Sequence, residues 1–206
     1  MTQTAGKLPE MIDMVFDLAG ESPHASYPFD LWDELLRLSP LLATQAQVGI
    51  LPLRLTGNSD GMLLPKRTKL AIRLPEGIAD RVAEQISEQP IKIGHSRLLL
   101  GKGKRRPIQH SPTVHAQIVA GASDEVQFIA DISAQLRALG IVGNLICGKR
   151  QTLGSGQKHI EGFSLVIHDL KADASLKLQY AGLGGFREFG CGIFIPYKVI
   201  TGLDDD

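Results

Sequence analysis

Cysteine is nearly absent from this chain. The two present in 206 residues, Cys147 and Cys191, form neither a disulfide framework nor a metal-ligand spacing. A cytoplasmic protein with reduced thiols is expected. Aromatics are scarce at 5%, and no strand-like run carries the paired aromatics of a sheet that stacks RNA bases. No apolar run approaches the roughly 18 residues of a membrane span. The opening MTQTAGKLPE has neither the basic n-region nor the apolar core of a secretory signal. Net charge is also absent, with 22 basic against 22 acidic residues. What remains, 43% apolar and 21% charged, is the composition of an ordinary globular protein, long enough for one domain or two small ones.

The charges are segregated. Residues 1–43 carry seven acidic and two basic groups. Gln89 to Ser123 hold no acid, yet include Lys92, Arg97, Lys102, Lys104, Arg105 and Arg106 with His95, His110 and His115. Between Asp131 and Glu161 lie Arg137, Lys149, Arg150 and Lys158, again without an acid. Such stretches can give a neutral protein a cationic face that attracts polyanions.

Periodicity predicts a strand over 11–20, then a helix over 28–43 with Leu31, Leu35 and Leu38 on one face and Pro40 as kink or stop. Strands over 47–55 and 68–75 follow, separated by turn residues at 56–67. A helix over 76–89 turns Ile78, Val82 and Ile86 inward, and short strands cover 91–94 and 96–101. After the basic link GKGKRRP the order begins again: a strand over 112–121 and a helix capped by Ser123, with Val126, Ile129, Ile132, Leu136 and Leu139 as its stripe. Strands over 143–148 and 161–170 are joined by a long tip at 149–160, and a helix over 172–182 precedes a closing strand at 191–198. The pattern β-α-β-β-α-β occurs twice. It predicts an α+β protein of two tandem ferredoxin-like domains, residues 1–100 and 107–206 joined by a link at 101–106. The fold alone decides no function; two copies with basic hairpins point toward RNA.

Five glycines crowd into residues 182–192, a C-terminal glycine-rich loop. Nucleotide fingerprints are excluded. Gly190 is followed by Cys191-Gly192 rather than Lys-Ser/Thr, and Gly182-Leu183-Gly184-Gly185-Phe186 leads to Arg187 instead of a third glycine. A loop whose bare backbone packs closely or approaches RNA remains. The sequence shows neither a metal-ligand cluster nor the convergent acid-base set of a small-molecule enzyme.

The runs GLGGFREFGCGIFIPYK, LICGKRQTL, GFSLVIHDL and YPFDLWDELLRLSPLL…VGILPLRLTG resemble the CRISPR-associated repeat-processing endoribonucleases of the RAMP superfamily. Within these, they are most similar to the group of the Myxococcus-type variant of type I systems, from about Asp13 to Lys198. The resemblance implies cleavage of precursor CRISPR RNA within the repeat, often beside a stem-loop, with no metal or other cofactor. It also implies an enzyme that keeps its product inside an effector complex, with no membrane partner. Catalysis by 2′-hydroxyl attack needs an in-line alignment and a proton acceptor, for which a histidine is suited. The family keeps that histidine near the first helix, often with a tyrosine, which indicates His24 and Tyr27. His110 and His115 compete for the role, whereas His159 and His168 read as structural or peripheral. RNA contacts are expected from Lys102, Lys104, Arg105 and Arg106 in the link, and from Lys149, Arg150 and Lys158 in the hairpin. Gly184, Gly185 and Arg187 are expected to add contacts from the loop. The alternative is a non-catalytic RNA-binding subunit of an effector complex.

Overall fold

The computed structural model describes residues 8–24, 26–58, 61–155 and 158–197, with backbone alone at 58, 61, 62, 155 and 158. It is an α+β fold of antiparallel sheets. Strand β1 (Met11–Gly20) leads to helix α1 (Tyr27–Leu38), which has Pro28 in its first turn and buries Leu31 and Leu35. The helix predicted to reach residue 43 stops before Pro40, where a 3₁₀ turn, Pro40–Thr44, takes over.

The strand predicted over 47–55 shrinks to β2 (Gly49–Ile50). Pro52 has no N–H to give a ladder, and the Leu53 N–H donates to the Tyr27 hydroxyl at 2.9 Å. The predicted turn after it holds a small hairpin, β3 (Thr56–Asn58) and β4 (Gly61–Leu63). Then come β5 (Lys69–Pro75), α2 (Glu76–Ile86), β6 (Pro90–Ile93) and β7 (Ser96–Leu100). The segment expected as a link contains β8 (Lys104–Pro107), which pairs with β1. The first sheet runs β2-β5-β1-β7-β6, with β8 beside β1 on the edge it shares with β7.

The remaining elements are β9 (Val114–Ala120), α3 (Glu125–Ala138), β10 (Asn144–Ser155), β11 (Lys158–His168), α4 (Ala172–Ala181) and β12 (Ile195–Pro196), in sheet order β10-β11-β9-β12. The expected loop at 149–160 is mostly ladder, bulged between Cys147 and Arg150. The cap of α3 is Asp124, whose carboxylate accepts the Gln127 N–H at 2.9 Å, rather than Ser123. Its buried stripe is Phe128, Ile132 and Leu136, so Val126 points to water at 77% exposure.

One core gathers Met14, Phe16, Leu18, Leu31, Leu35, Val82 and Ile86 beneath the first sheet. A second gathers Val114, Phe128, Ile132, Phe163, Leu165 and Phe194. A bulge between Phe163 and Leu165 on the β9–β11 ladder turns Ile118 and Ala120 to the other face. There they form a third cluster with Ile160 and Cys191, against which Phe29 of α1 packs.

A buried arginine also joins the two sheets. Arg73 of β5 is 1% exposed and grips Asp13 of β1 through Nε at 2.7 Å and Nη2 at 3.2 Å. Its Nη1 donates to the carbonyls of Phe194 at 2.7 Å and Gln179 at 3.1 Å. Burial raises the Asp13 carboxyl's pKa, but Arg73 and Arg106 outweigh it and hold the group below the usual carboxylate value.

Candidate functional site

His24 occupies the loop between β1 and α1, with 46% of its side chain exposed. Its Nδ1 accepts the Ser26 backbone N–H at 3.1 Å. Its Nε2 lies 3.0 Å from Oδ2 of Asp30, in the first turn of α1. A ring nitrogen that accepts a backbone N–H carries no proton there, so this is the Nε2–H tautomer, donating to Asp30. Both nitrogens are engaged, and the imidazole takes up a proton at Nδ1 only by releasing the Ser26 N–H. The hairpin tip between β6 and β7 closes over the ring. A Cβ on Gly94, where φ is +60°, would stand 2.8 Å from the imidazole Cδ2 and Nε2. Glycine suits this position both for its left-handed backbone and for the closeness of the ring.

Tyr27, expected beside His24 as an assistant, lies in the core at 8% exposure. Its hydroxyl accepts the Leu53 N–H, and burial pushes its pKa up to about 12 despite that bond. The hydroxyl expected to assist His24 is therefore turned into the core instead. The apolar environment at the start of α1 takes the ring in, and the hydroxyl fixes the chain after β2.

Arg187 is corrected in the same way. It is 7% exposed, and its Nη2 donates to the Gln47 carbonyl at 3.1 Å. Its Nε and Nη1 are buried without a hydrogen-bond partner. Burial, aided by repulsion from Arg73, lowers its pKa to about 10. Gly182 makes this possible, since a Cβ there would collide with the Arg187 guanidinium. Gly184 is exposed to solvent on one side, while a Cβ on it would come 2.6 Å from the Ala120 carbonyl oxygen. Gly185 is exposed, with open space above it. The Gly184 N–H donates to the Gln135 side chain at 2.9 Å, so the segment is a packing device along most of its length and an open backbone at Gly185.

The basic link is not a row of unengaged cations. Lys104 lies 3.6 Å from Asp17, and Arg106 lies 2.9 Å from Asp13. Arg105 is paired with Glu76, and with Asp80 at 3.0 Å. The pairing of β8 with β1 brings the basic segment onto acids of the first half, which is where the segregated charges meet. Lys102, just before β8, is exposed. In the hairpin, Lys149 is exposed at the bulge, whereas Arg150 reaches Glu161 at 2.7 Å. The Lys158 backbone opens β11; its side chain lies outside the described residues.

Between the sheets lies a cavity of about 970 Å³, lined by Arg54, Lys69, Arg73, Arg106, His115 and Gln179 among others. Gln179 is fully buried. Its Nε2 donates to the Gln109 carbonyl at 2.9 Å, while its Oε1 has no partner. His115 Nδ1 is also unpartnered, and burial, with Arg54 adding, pushes that imidazole's pKa down. Of the other histidines, His95 is exposed next to Gly94, His110 and His159 are exposed, and His168 bonds Asp169 at 2.8 Å. Among the described residues no group of three or more His, Cys, Asp or Glu is placed to hold a metal ion, and no helix is long and apolar enough to cross a membrane.

Sequence reasoning missed Asp30, Gly94 and the Asp13–Arg73 pair. The pair had a signal: one acid in MIDMVF and one base in KLAIRLP, each interrupting an apolar strand. Asp30 and Gly94 had none, because their nearness to His24 comes from the fold.

Comparison with known proteins shows the family of the chain. The family model described as Cas6 Crispr matches residues 12–199. The CRISPR-associated endonuclease Cas6 of Myxococcus xanthus (strain DK1622) is 31% identical over 194 residues, covering 93% of this chain and 84% of that protein. Among solved structures, a RAMP protein described as binding different RNA substrates superposes with a TM-score of 0.66 at 14% identity, covering 91% of this chain and 100% of the other. A Cas6-related protein from Pyrococcus furiosus gives 0.62 at 12% identity, covering 89% and 97%. These two show likeness of fold. The family-model match and the Myxococcus identity together show that this chain belongs to the Cas6 family of CRISPR-associated endonucleases.

Proposed function

We propose that this chain is an endoribonuclease that cleaves precursor CRISPR RNA within the repeat, without a metal, leaving a 2′,3′-cyclic phosphate and a 5′-hydroxyl. The observation that carries the reading is the half-exposed His24, seated between Asp30 and Gly94 at the start of α1 in a chain of this family. The substrate supplies the nucleophile. The 2′-oxygen bonds to phosphorus as the bond to the 5′-oxygen breaks. The protein needs to align the two, move a proton and neutralise the developing charge. His24 serves as general base or acid once RNA displaces the Ser26 N–H from Nδ1, and Asp30 holds the ring at Nε2 meanwhile. A positioned histidine of this kind contributes roughly 10²–10⁴-fold. Tyr27 acts through position, by tying the 51–53 chain to the helix that carries Asp30.

Phosphate contacts come first from Lys102 and Lys149, which are exposed, and from the open backbone at Gly185, with the exposed Gly184 beside it. Lys104, Arg105, Arg106 and Arg150 add charge that is already shared with acids. In the cavity, Arg54, Lys69 and Arg106 suit phosphates, with Lys69 and Arg106 sharing their charge with Asp17 and Asp13. The two halves are read as ferredoxin-like domains, 1–100 and 107–206, on the strand orders β2-β5-β1-β7 and β10-β11-β9-β12. Retention of the product guide within an effector complex follows from the same reading.

The test is incubation of the protein with repeat RNA from the array beside its gene, in EDTA, under single turnover. Wild type is expected to cut once per repeat. His24→Ala and Gly94→Ala are expected to slow the cut at least a hundredfold while still binding. Loss of cutting in EDTA, or wild-type rates for His24→Ala, would sink the mechanism. RNA that is bound and never cut by wild type would make the chain a binding subunit.

A further inference from the structure

Phe186 lies in the exposed part of the glycine-rich segment and has a left-handed backbone, with φ of 62°. Glycine takes that conformation freely, whereas a bulky side chain adopts it only against strain. The strain is held in place by two hydrogen bonds, since the Phe186 carbonyl accepts the N–H of Phe189 at 3.0 Å and of Cys191 at 3.1 Å. A glycine would make the same turn. Phenylalanine brings instead a ring that is 50% exposed, so burial does not account for it. Strain of this kind is retained where the residue has work to do.

The ring's neighbours indicate what work. Phe186 stacks on Phe189 with centroids 6.4 Å apart and planes 24° from parallel. Phe189 in turn lies 4.7 Å from Phe29 of α1, next in sequence to Asp30. Phe186 is therefore the outer end of an aromatic run that reaches back to α1, the helix that carries Asp30. On its N-terminal side the exposed Gly185, with open space above it, leaves room for a sugar-phosphate backbone. Among the described residues, no other exposed large hydrophobic lies in this segment; the rest are Leu63, Leu99, Val126, Val142, Ile146 and Tyr197. A lone flat ring offers one base a face, while a stable protein partner needs on the order of 1,000 Å² of buried surface.

We propose that Phe186 is a stacking platform for one unpaired nucleobase of the RNA, next to the cleaved phosphate, and thereby fixes the register of the cut. This rests on the chain being an RNA-cleaving enzyme. The base is held by its π-face, so any base is accepted there and none is read by its edge.

The test uses the full chain and the repeat RNA of the neighbouring array, with a 2′-deoxy substitution at the mapped cut to block cleavage. Phe186→Leu keeps an apolar side chain of similar bulk in the same backbone, and removes the flat face. It is expected to weaken RNA binding by about five- to a hundredfold, the range of one lost base stack. Its thermal midpoint should stay close to wild type, and Phe186→Trp should restore affinity. Replacing nucleotides near the cut one at a time with abasic sites should find one position whose loss weakens wild type by the same factor and Phe186→Leu no further. Wild-type affinity for Phe186→Leu, with wild type still binding and cutting, overturns the stacking platform and leaves the endonuclease reading standing. The platform also fails if no abasic position couples to Phe186, or if Phe186→Leu changes only the oligomeric state in sizing experiments, which would make the ring a protein contact. Wild type that neither binds nor cuts repeat RNA overturns both readings.

Discussion

Asp13 and Arg73 face each other in register across β1 and β5, each in a strand whose neighbours are apolar. A carboxylate in such a place survives only with its counter-charges, and Arg73 and Arg106 supply two. Because the folded-state pKa of Asp13 is lowered, its stabilisation is fully present above the ordinary carboxylate value. It is lost as pH falls through the lower folded value. Asp13→Ala strands a buried guanidinium and is expected to cost about 3–5 kcal/mol in urea unfolding at neutral pH. The variant should also show a shallower loss of stability than wild type as pH falls below the ordinary carboxylate value. Equal acid limbs in the two proteins would remove Asp13 from the explanation. The same contrast between residue type and surroundings governs what could be read in advance. An arginine amid glycines reads as a phosphate ligand, yet Arg187 is buried because Gly182 leaves its guanidinium space. A tyrosine beside a candidate catalytic histidine reads as its assistant, yet Tyr27 turns inward toward Leu53. The sequence could single out His24 as a candidate but not the acid and the glycine beside it, which the fold brings there from α1 and the β6–β7 tip.

Helices were the most legible elements, since the apolar stripes of α1 and α2 depend on local spacing alone. Strands were less so. β2 fails as a long strand because of Pro52 and because Tyr27, twenty-six residues away, takes the Leu53 N–H. β8 reads as a polar linker, since the strand's partners are acids and a sheet edge distant in sequence. This placement separates two kinds of basic element. The cations of β8 neutralise Asp13, Asp17, Glu76 and Asp80, while Lys149 stands clear at the bulge of the β10–β11 hairpin. Each phosphate contact contributes about one unit to the dependence of log affinity on log salt. Lys149→Ala is expected to reduce that slope by about one. Arg105→Ala should leave it nearly unchanged and cost at most about 1 kcal/mol of stability, as exposed pairs do. Titration of repeat RNA against both variants at several salt concentrations decides between them. The reverse ordering would place the RNA along β8.

At the scale of the whole molecule, the two sheets have cores of their own, and polar and apolar ties run between them. Arg73 reaches from β5 to the carbonyls of Gln179 and Phe194, Arg187 reaches back to Gln47, and Phe29 lies against Ile118, Ala120, Ile160 and Cys191. None of these ties can be read from either half alone, which is why the α+β class of the fold was legible and the junction was not. Their burial makes partial opening costly, because separating the halves would expose the Arg73 ion pair and the third cluster together. The halves are therefore expected to unfold as one unit, and two reporters can test it. Trp32, the one tryptophan in the sequence, packs on the first core. Cys191 is buried in the junction, where burial and nearby Glu188 push its thiol up to about 12, so it reacts only when the junction opens. In a Cys147→Ser background, Trp32 fluorescence and Cys191 labelling should report the same urea midpoint. Arg73→Met removes the bonds to Gln179 and Phe194 while keeping an apolar stem, and should let Cys191 react at lower urea than the Trp32 transition. Separate midpoints already in the background protein would mean that the junction opens on its own. In that case the cavity between the sheets would be a gap whose width the RNA itself sets, not a preformed site.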